Sequence, residues 1–142
     1  MSTSDMVATV LQHLVTLSDI CLVIGPSAAV CETFVDPATM DFSVDGASVT
    51  MENGLWHIHL DATKVHKVTF VVTPDTAHGN SAQMSYSVRF FDAQGTALLR
   101  AFFLAMYDEQ GNIRLERVQQ YEALRACGGG WDVVVPHRED IR

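Results

Sequence analysis

Apolar residues recur at helical spacing near the start of the chain, at Val7, Val10, Leu11, Leu14 and Leu17. This predicts an amphipathic helix over residues 5 to about 18, with Ser4 as its N-cap and His13 off the apolar stripe, in solvent. After Asp19 the period changes. The runs "ICLVIG", "AVCETFV", "MDFSVDG", "ASVTMEN", "LWHIHLD" and "HKVTFVVTP" are short, rich in β-formers and punctuated by Gly, Pro, Asn and Asp, which predicts an antiparallel meander. Two longer runs follow, "QMSYSVRFFD" and "TALLRAFFLAM", joined by "AQG"; they read as a hairpin and as the central strands. From Asn112, taken as a cap, Ile113, Val118, Tyr121 and Leu124 mark a second helix over residues 113–126, which "GGG" at 128–130 ends. The tail "WDVVVPHREDIR" has room for one more short strand, with His137 in solvent. Helix, many strands, helix gives the class α+β: a large antiparallel sheet flanked by an N-terminal and a C-terminal helix, as a single domain over residues 1–142.

Composition narrows the function. With 48% hydrophobic residues in 142, the chain can bury a core without covalent staples. Its three cysteines, Cys21, Cys31 and Cys127, are widely spaced and form no CxxC pair, which fits neither a disulfide framework nor a zinc knuckle and points to a reducing compartment. No leader pattern and no membrane-length apolar run is visible, so a cytoplasmic protein is expected. A net charge of −8, with nine Lys and Arg, argues against nucleic acid and against a basic membrane-surface helix.

The chemistry concentrates in "GLWHIHLD", residues 54–61. On a strand, His57 and His59 share one face while Trp56, Ile58 and Leu60 take the other. Two imidazoles so placed have three readings: a metal site, an axial ligand for an iron porphyrin, or an ordinary solvated surface. A zinc centre needs a third protein ligand, and Asp61 and His66 offer none in a known spacing. His66, opening a strand, and His78, in "TPDTAHGNSAQ", read as solvated. There is no G-x-S-x-G elbow and no phosphate loop; "CGGGW" ends a helix, where a phosphate cradle would precede one.

The order of pieces from residue 55 onward, "HIHLDATKVHKVTFVV", a loop, "SYSVRFFDAQGTALLRAFFL" and "QYEAL" on a helix, resembles the ChuX/HutX/HemS heme-utilisation family. The resemblance implies heme (iron protoporphyrin IX) as cofactor, with His57 at the iron-ligating position and Arg100, in place of the family's basic residue, or Arg89 paired with a propionate. Trp56, Phe90, Phe91, Phe102 and Phe103 would help to form the apolar slot. His59 would be a neighbouring donor and not the ligand. One departure stands out: where family members carry a second histidine in a strand of type "LVH", this chain reads "CLVIG", with Ile24 at that place. Ligation by that pair of histidines is thereby removed. The chain also carries one copy of a unit that HemS-type proteins carry twice, which implies a homodimer. The expected function is an intracellular heme-binding protein, a carrier or store in heme iron use and transport, with no catalytic residue. The alternatives are a heme-free interaction or small-ligand-binding domain of the same fold, and a small metalloprotein using His57 and His59.

Overall fold

A computed structural model describes residues 2–25, 27–75, 83–127 and 133–134. His78, His137 and the "GGG" stop signal lie outside them. Helix α1 spans Thr3–Leu14 and helix α2 spans Leu115–Cys127. The strands are β1 (Ile20–Ile24), β2 (Cys31–Val35), β3 (Asp41–Asp45), β4 (Ser48–Glu52), β5 (His57–Asp61), β6 (Lys67–Pro74), β7 (Met84–Phe91), β8 (Ala97–Phe103) and β9 (Val133–Val134).

Helix α1 starts two residues before the expected residue 5. Ser2, not Ser4, is the N-cap: its hydroxyl accepts from the Asp5 amide at 3.1 Å while the Asp5 carboxylate accepts from the Ser2 amide, a capping box that satisfies two orphan donors. Of the predicted stripe, Val7, Val10, Leu11 and Leu14 are buried, while the helix ends at Leu14 and Leu17, beyond it, is only partly buried. Helix α2 begins at Leu115, because Asn112 is used elsewhere. Asn112 closes a turn on Asp108, and Ile113 bridges to Tyr107. On α2, Arg117 is buried and donates to the carbonyls of Asp19 and Leu104, both at 2.9 Å, tying the helix to the ends of β1 and β8.

The strands divide into two sheets instead of forming one. The large sheet runs β2-β1-β8-β7-β6-β9, antiparallel except for the parallel β6–β9 edge, and places β7 and β8 at its centre as expected. Their connection is the "AQG" turn, in which Gly95 sits at φ +80° and the Asp92 carboxylate accepts from the amides of Gln94 and Thr96; a side chain at Gly95 would have to adopt the disfavoured left-handed region. The small sheet is β3-β4-β5.

Period-two alternation gives each sheet one face toward the core. On the large sheet Ile20, Leu22, Val68, Phe70, Val88, Phe90, Leu99, Ala101 and Phe103 face inward and pack with both helices. Tyr121 of α2 stands edge-on to Phe70, Tyr86 and Phe103, with ring centroids 5.2–5.5 Å apart. The small sheet adds Val49 and Met51 to the same core, with Phe42, Ile58 and Leu60 packed against it. Two outward faces remain, one on each sheet, and they carry the chemistry.

Candidate functional site

The small sheet holds the two histidines. His57 pairs with Glu52 and His59 with Thr50 across β4, so both imidazoles leave the same outward face, and both residues are exposed. Their ring centroids are 5.0 Å apart, tilted by 53°. The Thr50 hydroxyl and His59 Nδ1 are 2.8 Å apart, which fixes that ring and leaves its Nε2 outward. His57 has no hydrogen bond among the described residues, so both its nitrogens are available to a ligand.

The rest of this face is polar. Asp41 and Glu52 lie in the cross-strand row of His57, Ser43 and Thr50 in that of His59, and Asp45, Ser48 and Asp61 beyond. Among the described residues no group of three or more His, Cys, Asp or Glu is arranged to hold a metal ion. The apolar surface lies next door. The β4–β5 turn, closed by the Asn53 side chain accepting from the amides of Leu55 and Trp56 at 2.8 and 3.1 Å, stands against edge strand β2. Between them is a cleft of about 490 Å³, lined on one side by Glu32, Thr33 and Phe34 and on the other by Asn53, Leu55 and Trp56. That volume is within the range of small-molecule sites. Leu55 is 92% exposed and Phe34 59%, so both offer apolar surface to the cleft.

The two arginines sit elsewhere. Arg89 and Arg100 are direct cross-strand partners on β7 and β8, on the outward face of the large sheet. Arg89 is 8% exposed, and its Nε donates to Ser87 Oγ at 3.2 Å. Arg100 is half-buried, lies 5.5 Å from the centroid of the Phe102 ring, and has its buried Nε without a partner. Burial lowers the pKa of both; the adjacent Arg100 lowers that of Arg89 further, while Glu32 acts in the opposite sense on Arg100. No contact among the described residues joins either arginine to His57.

The aromatic set divides by alternation. Phe91 and Phe102 take the outward face with the arginines, whereas Phe90 and Phe103 face the core, where Phe103 is held by Tyr121 and by the Arg117 guanidinium 5.0 Å from its ring centroid. Phe90 and Phe103 are therefore filled core positions and line no open slot in this fold. Trp56 is partly buried at the cleft, one residue from His57. The sequence reading had not singled out Phe34 and Leu55; the signal for them was an apolar residue at a turn and another on the strand face that Glu32 shares, opposite the buried Val35.

A protein-family model matches residues 8–127. No curated protein matches the sequence. Among solved structures, a crystal structure of ChuX is similar at a TM-score of 0.67 and 14% identity, over 89% of this chain and 74% of ChuX. A structure of the heme-binding protein ChuX gives 0.65 and 16%, over 88% and 74%. Apo-PhuS, a heme-binding protein from Pseudomonas aeruginosa, gives 0.66 and 12%; 84% of this chain is covered but only 33% of PhuS. At such identities the structural likeness establishes the fold.

Proposed function

From the premise that the chain belongs to the ChuX/HutX-like family, we propose that it binds heme and that His57 is the axial ligand. The observation that carries this reading is His57 itself: an exposed imidazole with no hydrogen bond among the described residues, one residue from an apolar cleft. Heme would supply an iron centre that accepts a neutral imidazole nitrogen. In this reading the Asn53 turn orients the strand start, Trp56, Leu55 and Phe34 give apolar cover, and His59, held by Thr50, donates from beside the ligand without replacing it. The polar face of β3 and β4 turns the ligand toward the cleft and away from the sheet. Arg89 and Arg100 are not required for this arrangement.

The role we infer is that of an intracellular, cytoplasmic carrier or store in heme iron use and transport, with no catalytic step assigned. We further propose a homodimer. Strand β2 is an edge strand of the large sheet, and Phe34 and Leu55 leave apolar surface exposed at the cleft. A second copy over that edge would supply the missing apolar wall.

One feature favours the heme-free alternative: Ile24, at the end of β1 and 38% exposed, occupies the position at which the sequence resemblance implies a second histidine. The metal reading with His57 and His59 would need a ligand from outside the described group. Titration of the purified protein with hemin, followed in the Soret band, separates these readings. Saturable binding is expected, with the Soret shift abolished by His57→Ala and affinity weakened by about 1 kcal/mol in His59→Ala, the worth of one hydrogen bond. Equal affinity and an unchanged spectrum in the His57 variant would overturn the ligand assignment. Absence of saturable binding to the wild type would leave the heme-free fold, and elemental analysis of the same sample reads the metal alternative.

A further inference from the structure

Strand β5 ends the small sheet, and its outer edge meets no other described strand. Two backbone hydrogen bonds bracket the β4–β5 hairpin, from the Asn53 amide to the Trp56 carbonyl and from the Ala62 amide to the Ala47 carbonyl. Counting in alternate steps between them, Ile58 and Leu60 turn their backbone groups toward β4, and the N–H and C=O of His57, His59 and Asp61 point out of the free edge. Such an edge is a template for another strand, and "HIHLD" is complementary to itself. Laid antiparallel about His59, a second copy of β5 sets Asp61 opposite His57, His59 opposite His59 and Leu60 opposite Ile58. The outward-pointing backbone groups of the two edges then meet each other, the apolar pair falls on the core side, and imidazole faces carboxylate on the other. The far edge of the same sheet has no such match: β3 paired with itself about Ser43 sets Asp41 against Asp45.

The two histidines are also two thirds of a metal site. Their ring centroids are 5.0 Å apart, and two imidazoles bound to one tetrahedral zinc stand about 5 Å apart. The Thr50 hydroxyl, 2.8 Å from His59 Nδ1, holds that ring with Nε2 outward, as the outer hydrogen bond of a metal-bound histidine does. A third protein ligand is missing from the chain: Glu52, across β4 from His57, forms no metal-holding group with the pair. Across the paired edges, Asp61 of the partner subunit is opposite His57, with Cβ atoms about 5 Å apart. Asp61 Oδ1 accepts from the amide and hydroxyl of Thr63, which leaves Oδ2 for an ion.

We infer that a divalent ion of the zinc class joins two copies of this chain edge to edge through β5, in two symmetric sites, each made by His57 and His59 of one copy and the Asp61 carboxylate of the other. The remaining position at each ion is open to water. Backbone bonds over so short a strand do not repay the freedom lost on association, so the ion is what makes the pairing hold. Strand β2 takes no part in this contact. The heme reading assigns the same His57 ring to iron, so the two loads exclude each other.

The test is sedimentation of the untagged full chain with zinc and with a chelator, alongside calorimetric titration with zinc. One ion per chain is expected, with a mass at least twice that in chelator at the same protein concentration. Asp61→Asn, which can still accept from Thr63, should weaken zinc binding about ten-fold or more and abolish the rise in mass, whereas Glu52→Gln should assemble as the wild type does. Neither Asp61→Asn nor His57→Ala should assemble alone, but an equal mixture of the two should, because the histidines of the first and the carboxylate of the second rebuild one site. The inference is overturned if zinc does not bind, if it binds without a change of mass, if Asp61→Asn assembles like the wild type, or if the mixed variants stay apart. A Soret titration in chelator reads the heme assignment separately, so either can fail without the other.

Discussion

Tyr121 carries its hydroxyl through three aromatic neighbours to the carbonyl of Ser87, 2.9 Å away, on the central strand β7. Burial, with the nearby Glu122 in the same sense, pushes its phenol well above the ordinary tyrosine range. The folded state therefore keeps the proton longer than the unfolded chain does. The associated stability is fully present below about pH 10, the unfolded value, and is lost as pH rises beyond it. Tyr121→Phe should cost about 1 kcal/mol at pH 7, from the lost hydrogen bond, and should flatten the alkaline fall in stability. Urea melts at pH 7 and pH 10.5 read both effects; an unaltered slope would assign the fall to Tyr86 and Cys21, whose pKa values burial also raises. At this scale the sequence was legible wherever a period of two decides. His57 and His59 share a face, and Trp56, Ile58 and Leu60 take the other, because a strand permits nothing else. "RFF" and "RAFF" were less legible. Adjacent phenylalanines must separate to opposite faces, and when both faces carry apolar residues the pattern does not say which one the helices will cover. Only the fold assigns Phe90 and Phe103 to the core.

Among the elements, the β4–β5 hairpin has the most direct bearing on function. Its turn depends on one side chain, Asn53, which satisfies two successive amides just ahead of His57. Asn53→Ala should destabilise the fold by about 1 kcal/mol and loosen the register that presents Trp56 and His57. A several-fold loss of hemin affinity with an unshifted Soret maximum is the expected signature; unchanged affinity would mean that the turn does not position the ligand. Hairpins such as this one and "AQG" could be read from the chain because their signals are local. Helix starts were harder to read, since several residues compete to be the cap. Ser2 has Asp5 three residues on and closes a box, whereas Asn112 is consumed by the Asp108 turn before it can cap α2. The division into two sheets was not legible at all. Pairing β1 with β8 joins residues some eighty positions apart, and no local pattern encodes that choice.

At the scale of the whole molecule, the two outward faces have different characters: the small sheet is acidic and polar around two histidines, while the large sheet carries a cross-strand arginine couple. The proposed pairing of two copies through the β2 edge is measured by light scattering, with a mass near twice 15.6 kDa expected at micromolar concentration. An interface that holds there should bury on the order of 1,200 Å² or more. Phe34→Glu should shift the population to monomer, and a wild type already monomeric would remove the dimer. One property of the architecture has a kinetic face. The small sheet is hydrogen-bonded within itself, and among the described residues no backbone hydrogen bond ties it to the large one. Side-chain packing and the two chain connections, residues 36–40 and 62–66, attach it, so it can open locally while β6, β7 and β8 stay closed. Amide protons of β3, β4 and β5 should then exchange with deuterium well before those of the central strands. A ligand held by His57 would slow that exchange across all three strands at once, since whatever stabilises the closed form raises the cost of opening the unit as a whole.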